Sequence, residues 1–354
     1  MCGALRECRE IRARRQQLPS KPSAAFANWL PQHFLNPLHH ANSLQGGFWL
    51  NWWHDEWVTE FRDIESVRAA LSAYIRDRVG GPGIDEKQDA YFNAPGERWF
   101  AEDAPIRQVH GDAAMFIGGV RAVLLQALHP LAMAGVDQHS DFRNDPWGRL
   151  QRTADFLAAT TFGPADEAQR IIDRILHVHS FVVGQASDGR SYSANDPHLL
   201  RWVHVVEVDS FLTAHTLFGE HVLTQEQRDG YVEDMSMIAA KLGVPAPPKT
   251  EQALRDQMKS FKNELQSTAE SRDAIKYLMF NPPLPYPARA AYYSLVAATV
   301  ATLPAWSRDM LRIPYLPVSE RFALRPLGGL FTRGLRWITA PTSPYQRNGA
   351  TDLA

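Results

Sequence analysis

The sequence predicts an all-α protein built as a single large helical domain. Through most of the chain, apolar residues recur three and four positions apart, which is the period of an amphipathic helix. Strand-like alternation is almost absent, and Gly, Pro and Asn cluster between the periodic runs, as expected of connections between helices. Of the 354 residues, 45% are apolar, which is enough to form a substantial core.

The helical pattern begins near Trp57, and its first helix is expected to end at Gly80-Gly81-Pro82-Gly83. We therefore divide the chain into an irregular N-terminal extension over 1–50, an all-helical domain over 51–340 and a flexible C-terminal tail over 341–354. Further helices are predicted over 105–128, 147–162, 165–184, 197–219, 225–242, 250–267, 270–279, 287–302 and 317–337.

Composition and motifs narrow the function classes. A net charge of −2 offers nothing that recruits nucleic acid or an anionic membrane. Two cysteines, Cys2 and Cys8, are too few for a disulfide scaffold and fit a reducing compartment. No export signal or transmembrane segment is evident, so we expect a cytoplasmic protein. The sequence also lacks a nucleophile elbow, a Walker A loop, an H-E-x-x-H motif and a dinucleotide fingerprint.

One arginine interrupts the most apolar predicted helix. Arg121 follows Gly118 and Gly119 by about one helical turn within an otherwise apolar run. A buried guanidinium without a partner is costly, so Arg121 predicts a buried acidic group, either a protein carboxylate or one of a cofactor. The glycines allow a close approach of a neighbouring helix or of a flat cofactor, and both alternatives are open.

A second set of cationic residues lies at the start of the helix that follows Asp145-Pro146. Arg149, Arg152 and Thr153 lie near its start, and Arg149 and Thr153 share a face because they are four residues apart. A positive helix end, a guanidinium and a hydroxyl together suit a carboxylate or a propionate. The alternative is ordinary capping by Asp145 with arginines on the surface.

Among thirteen histidines, His179 is the best candidate for a ligand. In the helix predicted over 165–184, it lies three or four residues from aliphatic side chains on both sides and is therefore expected to point inward. His177, next to charged residues, is expected to point outward. An inward imidazole is either a core histidine bonded to a backbone carbonyl or a metal or haem ligand.

The run RWVHVVEVDSF brings three further polar residues into an apolar helix, namely His204, Glu207 and Asp209. His204 and Glu207 lie three residues apart, as in half of a carboxylate-bridged metal site. The pair of Glu-x-x-His motifs typical of a four-helix di-iron centre is absent from the sequence. A buried polar network that links helices is the favoured interpretation, and a non-haem metal site is the alternative.

Three segments in a fixed order carry a resemblance to a known family: HGDAAMFIGGVRAVLLQALHPLAMAGVDQHSDFRNDPWGRLQRT, RILHVHSFVVG and DPHLLRWVHVVEVDSF. Together they resemble the MpaB-type oxygenases, whose more distant relatives include the latex-clearing proteins that cleave polyisoprene. The resemblance extends over roughly residues 95–330. It implies a helical fold with a globin-like core, a b-type haem (iron protoporphyrin IX) and oxygenase activity on carbon–carbon double bonds of isoprenoid or lipid-like chains.

The resemblance also implies roles for particular residues. His179 matches the proximal haem ligand, which would make it the metal-binding residue. Latex-clearing proteins carry an Arg-x-x-Lys-Thr pattern before the ligand helix; here Arg149, Arg152 and Thr153 occupy it and become candidate catalytic residues. Arg152 replaces the lysine of the pattern, which leaves open whether this position can reach the iron. The residues expected to line the cofactor are Arg121, Arg149, Thr153, Gly118 and Gly119, and the polar candidates for a base are Asp137, His139 and Asp141.

The implied partners are dioxygen and a small apolar unsaturated substrate, without nucleic acid. Two other classes stay open. One is a haem-binding carrier or sensor without turnover, with a side chain such as His139 closing the distal side. The other is a non-haem helical metalloprotein that uses His204, Glu207 and Asp209.

Overall fold

The computed structural model describes residues 64–340, and most of these residues are helical. Two strands of three residues each, β1 (Val183–Gln185) and β2 (Ser191–Ser193), are the only strands in this part of the chain. The predicted all-α class is confirmed. The predictions for the extension over 1–50 and the tail over 341–354 fall outside the described residues.

The helices of the described part follow one another in this order: α1 Ile64–Gly80, α2 Ile84–Gln88, α3 Pro105–His110, α4 Met115–Gln126, α5 Pro130–His139, α6 Pro146–Phe162, α7 Ala165–His179, α8 Pro197–Phe218, α9 Gln225–Lys241, α10 Glu251–Ser260, α11 Ala269–Phe280, α12 Tyr286–Val300, α13 Ala305–Leu311, α14 Pro317–Ser319 and α15 Arg325–Thr339. Two π-helical turns, Asp89–Asn93 and Glu320–Leu324, continue α2 and α14, and a 3₁₀ turn, Phe261–Glu264, continues α10.

Capping side chains set several of the helix starts. The Asp145 carboxylate accepts a hydrogen bond from the Gly148 amide (2.9 Å) at the start of α6, and Asp196 accepts one from the His198 amide (2.7 Å) at the start of α8. Thr224 and Gln227 form a reciprocal capping box at α9. Each cap satisfies amides that have no partner within their helix, so these starts follow the local sequence.

The contact between α4 and α8 lies at the centre of the domain. Ile117, Leu124 and Leu125 of α4 and Trp202 of α8 are fully buried. Gly118 makes the close approach possible, because a Cβ atom there would lie 2.6 Å from Phe211 Cδ1 and 3.0 Å from Phe211 Cα. Of the two alternatives for the glycine pair, helix packing accounts for Gly118.

Gly119 has a different environment from its neighbour. A Cβ atom at Gly119 would meet no atom closer than Phe211 Cε1, at 4.0 Å, and the residue keeps some accessible surface. Because the space beside Gly119 is open, its predicted contact with a cofactor stays a prediction.

The structure corrects several predicted boundaries. The helix predicted over 105–128 is two helices: the first ends at His110, and in the connection to the second the Asp112 carboxylate accepts a hydrogen bond from the Ala114 amide (2.7 Å). The helix predicted over 165–184 ends at His179, and the chain then forms the β1–β2 hairpin, whose turn places Gly189 at a φ of +84°. The helices α2, α5 and α13 were not predicted.

No single helix within residues 64–340 is long and apolar enough to cross a membrane. The helices α4 and α5 meet this criterion only when taken together, and they are bent by 106° relative to each other.

Alanine at Gly118 is expected to lower the free energy of unfolding by about 1–3 kcal/mol, because the added methyl group overpacks the α4–α8 contact. Gly119→Ala is the matched control, since its methyl group has space and alanine favours the helix by up to about 1 kcal/mol. Urea denaturation of both variants measures the difference. Equal effects at the two positions would contradict the assignment of Gly118 to helix packing.

Candidate cofactor site

Arg121 is buried and its guanidinium is satisfied by protein groups. Its side chain is 3% exposed, and Nη2 lies 2.6 Å from Asp209 Oδ2 in an ion pair. Nη1 donates to Ser210 Oγ (2.7 Å) and Nε donates to the Thr302 carbonyl (3.2 Å). The acidic group that the sequence predicted is therefore the carboxylate of Asp209, and the charge of Arg121 needs no cofactor propionate.

The three residues of the Arg-x-x-Arg-Thr pattern occupy different environments. Arg152 is exposed and pairs with Asp145 at 3.4 Å, while Asp145 also caps α6. Thr153 is exposed as well, and its hydroxyl donates to the Arg149 carbonyl (3.2 Å). For these two residues the contacts match the alternative of a capped helix with surface side chains.

Arg149 differs from its neighbours because it is partly buried without an acidic partner. Its Nη1 donates to Ser140 Oγ (2.8 Å), and no carboxylate pairs with it among residues 64–340. Burial, followed by the nearby charge of Arg152, lowers the pKa of the guanidinium. Since a guanidinium stays charged in proteins, Arg149 presents an uncompensated positive charge.

His179 lies at the C-terminal end of α7 and is partly buried. Its Nδ1 atom is buried without a hydrogen-bond partner, and its Nε2 atom has none within the described residues either. Burial lowers the pKa of His179, which favours the neutral imidazole that binds metals. His177 is exposed, as expected. The expectation that His179 has aliphatic neighbours on both sides within its helix is wrong, because the residues that follow it, Val182 and Val183, lie outside the helix.

The hairpin of α6 and α7 brings Arg149 and His179 to one end of the domain. The two helices pack together and are joined by Gly163-Pro164 alone, so they run antiparallel. Arg149 precedes Phe162 by 13 residues and His179 follows Ala165 by 14, which places both about 20 Å from the connection at 1.5 Å per residue.

The C-terminal end of α5 and the β1–β2 hairpin meet at the same end. Ser140 accepts from Arg149, and the preceding residue, His139, has its Nε2 3.1 Å from the Tyr192 hydroxyl on β2. A Cβ atom at Gly135 would contact Tyr192 at 3.5 Å and Val182 at 3.7 Å. We call the set Ser140, Arg149, His179 and Tyr192 the hairpin-end cluster.

These side chains fit the haem that the sequence predicts. An imidazole without hydrogen-bond partners is available as an axial iron ligand. A guanidinium without a carboxylate is suited to a propionate, with which it forms charge-assisted hydrogen bonds. The imidazole without a partner and the guanidinium without a carboxylate occur at the same end of one helical hairpin, so the hairpin-end cluster is the candidate cofactor site.

A polar cavity of about 330 Å³ adjoins this cluster. Within its lining, Asp137 pairs with Arg143 at 3.1 Å and Asp141 accepts from Asn144 at 2.6 Å. His139 contacts Tyr192. All three polar candidates for a base thus already have protein partners. The residues that line the cavity are Asp137, Gln138, His139, Ser140, Asp141, Arg143 and Asn144.

A second group of polar side chains is enclosed nearer the Gly163-Pro164 connection. His110 Nδ1 lies 2.8 Å from Thr161 Oγ1, and His110 Nε2 lies 3.3 Å from the Tyr231 hydroxyl. Burial lowers the pKa of His110 to about 3, so this imidazole is neutral at pH 7. The sequence did not identify His110 or Tyr231 as site residues, because their partners come from helices far apart in the chain.

Glu207 is electrostatically coupled to this group. Its charge raises the pKa of Tyr231, after the larger effect of burial. Glu207 has no hydrogen-bond partner among residues 64–340, and burial raises the pKa of its carboxyl group to about 7. A carboxyl group with a pKa near the working pH can both give and take a proton.

The predicted metal set of His204, Glu207 and Asp209 is not brought together. Asp209 is engaged by Arg121, and burial lowers the pKa of His204 to about 4. Within the described ranges, one group of three His, Cys, Asp or Glu side chains has ligand atoms within 4.8 Å of one another, and it contains none of these residues. The interpretation as a buried polar network that links helices fits Asp209, which pairs with Arg121, whereas His204 Nε2 and Glu207 have no hydrogen-bond partner among the described residues.

A model of the family described as "ER-bound oxygenase mpaB/B'/Rubber oxygenase, catalytic domain" matches residues 107–339, well over half of the chain. The chain belongs to this family. The match runs from α3 to the end of α15 and includes Arg149, His179 and Glu207, and it confirms the family resemblance. The chain matches none of the curated proteins and none of the solved structures with which it was compared.

In this member of the oxygenase family, Glu207 is expected to make folding stability fall as pH rises from about 5 to about 7. Unfolded Glu207 loses its proton near pH 4.5 and folded Glu207 near pH 7, so unfolding releases a proton between these values. In urea denaturation, Glu207→Gln should gain stability over the wild type across this window.

Glu226→Gln is the control for this experiment. Glu226 is exposed in the first turn of α9. The difference in folding stability between Glu226→Gln and the wild type should therefore not change between pH 5 and 7.5. A stability difference between Glu207→Gln and the wild type that does not change with pH would refute the raised pKa.

Proposed function

We propose that this protein is a haem b-dependent oxygenase that acts with dioxygen on an apolar substrate containing a carbon–carbon double bond. Family membership supports oxygenase chemistry. The observation that carries the haem is the hairpin-end cluster, where an imidazole without a partner and a guanidinium without a carboxylate occupy the same end of one hairpin.

In this proposal His179 would hold the haem iron, Arg149 would bind a propionate and Ser140 would orient the guanidinium of Arg149. When bound, the haem would activate dioxygen, which is the oxidant for attack on the double bond. The protein holds the cofactor, positions the substrate and excludes water. Because Arg152 and Thr153 are exposed and bonded elsewhere, the proposal rests on Arg149 rather than on them.

Apolar side chains beside the proposed ligand support an apolar substrate. Val178, Phe181 and Val183 are 51%, 66% and 53% exposed, and they flank His179 in the chain. Exposed apolar groups of this size next to a candidate site are typical of surfaces that contact a ligand. Gly119, with open space beside it, is retained as a cofactor-lining residue.

Glu207 is a candidate for proton exchange with the polar group of His110 and Tyr231, which lies nearer the Gly163-Pro164 connection than the hairpin-end cluster does. Its side chain is partly buried, lacks a hydrogen-bond partner in the described part and has a pKa of about 7. At neutral pH it holds a proton in part of the population and can receive one in the rest. Tyr231, whose pKa the charge of Glu207 raises, lies within hydrogen-bond distance of His110, which in turn contacts Thr161.

The alternative of a carrier or sensor is less well supported. It requires a side chain that closes the distal position, and His139 already contacts the Tyr192 hydroxyl through Nε2. A cytoplasmic location stays a prediction, because the family description includes oxygenases bound to the endoplasmic reticulum.

Haemin titration with a pyridine haemochrome assay tests the cofactor. The wild type should bind one b-type haem, and His179→Ala should lose most of this binding because it removes the ligand. His177→Ala is the matched control, since this exposed histidine lies two residues away on the same helix.

In the same titration, Arg149→Ala should weaken haemin binding and Arg152→Ala should not. Retention of full haem occupancy and an unchanged Soret band by His179→Ala would exclude it as the ligand.

Oxygen consumption tests the reaction. The haem-loaded protein should consume dioxygen with squalene, which has isolated double bonds, and not with squalane, its saturated counterpart of the same carbon skeleton. His179→Ala should abolish the difference between the two hydrocarbons. Haem binding without consumption of oxygen on squalene or another alkene would favour the carrier or sensor.

A further inference from the structure

We propose a second metal site, for a divalent transition-metal ion, formed by His129, His198 and Glu264. Their ligand atoms lie within 4.8 Å of one another. Two imidazoles and one carboxylate form a common donor set for zinc and for other first-row divalent ions, and three protein ligands leave a position for water. The site goes beyond the proposed oxygenase function.

Glu264 lies between the two histidines. Its Oε2 atom is 2.8 Å from His198 Nε2 and 3.6 Å from His129 Nε2. No lysine or arginine pairs with Glu264 in the part of the chain that the structure describes. The nearby Arg190 is engaged by Asp188 at 2.7 Å. No basic side chain therefore competes with the two imidazoles for the Glu264 carboxylate in the described part.

His129 is the observation that points to a ligand. Its side chain is 1% exposed, and neither ring nitrogen has a hydrogen-bond partner within the described residues. A buried imidazole without partners is costly, and a metal ion between His129 and Glu264 satisfies it. Aromatic rings close the inner side, since the centroid of His129 lies 6.2 Å from Trp202 and 6.4 Å from Phe261.

Backbone contacts hold the three ligands in place. The Gln266 amide donates to the Leu128 carbonyl (2.8 Å), which ties the segment after Glu264 to the residue before His129. The Asp196 cap fixes the amide of His198 at the start of α8. These contacts involve backbone groups and leave the ligand atoms free, and a bound ion would link α5, α8 and the 3₁₀ turn after α10.

This site is separate from the hairpin-end cluster. His129 precedes α5, whereas Ser140 follows it, and a helix of this length spans about 15 Å. Substitutions at the metal site should therefore leave haem binding intact, and His179→Ala should leave metal binding intact. Failure of one proposal can thus be distinguished from failure of the other.

Isothermal titration of the full-length, chelator-treated protein with Zn²⁺ tests the proposal. We expect one ion per chain, and a loss of affinity of at least about tenfold in His198→Ala and Glu264→Gln, since even supporting partners of metal ligands contribute that much. His221→Ala is the control, because His221 is exposed and outside the group. Zn²⁺ should also raise the Tm of the wild type but not of Glu264→Gln.

Co²⁺ provides a spectroscopic check on the same proteins, because its visible absorption reports coordination by protein ligands. The wild type and His221→Ala should show this absorption, and Glu264→Gln should lose it. Both His198 and Glu264 are partly exposed, so their variants are expected to fold, and thermal melts verify this. Absence of Zn²⁺ binding, or equal affinity in all variants, would overturn the site.

Discussion

The close contact between α4 and α8 is the constraint on which the rest of the domain depends. Gly118 allows the two helices to approach until a methyl group would no longer fit, and Arg121 then reaches Asp209 and Ser210 on α8. Removing one partner of a buried ion pair costs about 3–5 kcal/mol because the remaining charge is left uncompensated. The pair therefore fixes the register of α4 on α8, and with it the positions of His198 and Glu207.

Comparison with two fully buried arginines shows what Arg149 lacks. Arg121 pairs with Asp209, and Arg308 pairs with Glu320 at 2.9 Å with both side chains almost fully buried. Arg149 has a serine hydroxyl and no carboxylate among the described residues. No described carboxylate balances the charge of Arg149, which fits an acidic ligand.

The parts that the sequence predicted correctly are those governed by local rules. Helical periodicity predicted the all-α class, and Asp145 and Asp196 mark helix starts because their caps act over three residues or fewer. The sequence did not predict which residues tertiary packing brings together. No spacing indicates that Arg121 meets Asp209, or that Gln266 is bonded to Leu128 beside a candidate metal site.

The candidate metal residues illustrate the same division. His204, Glu207 and Asp209 attract attention because they are close in sequence, yet residues 207 and 209 differ by two positions and lie on different faces of α8. His129, His198 and Glu264 are 69 and 66 positions apart and converge in space. Proximity along a helix predicts a shared face only at three or four residues, so a long-range site has no local signature.

Four histidines of the described part have a buried ring nitrogen without a hydrogen-bond partner, and three of them, His129, His179 and His204, can be separated by what surrounds them. His129 faces a carboxylate and a second imidazole, which is a donor set for a metal. His179 lies among exposed apolar side chains, with an uncompensated arginine at the same end of its hairpin. His204 is buried within α8, and burial lowers its pKa to about 4 without a charged group that opposes this effect. A histidine ring nitrogen without a hydrogen-bond partner therefore does not define a site by itself. The charged groups around the imidazole determine which chemistry the histidine can support.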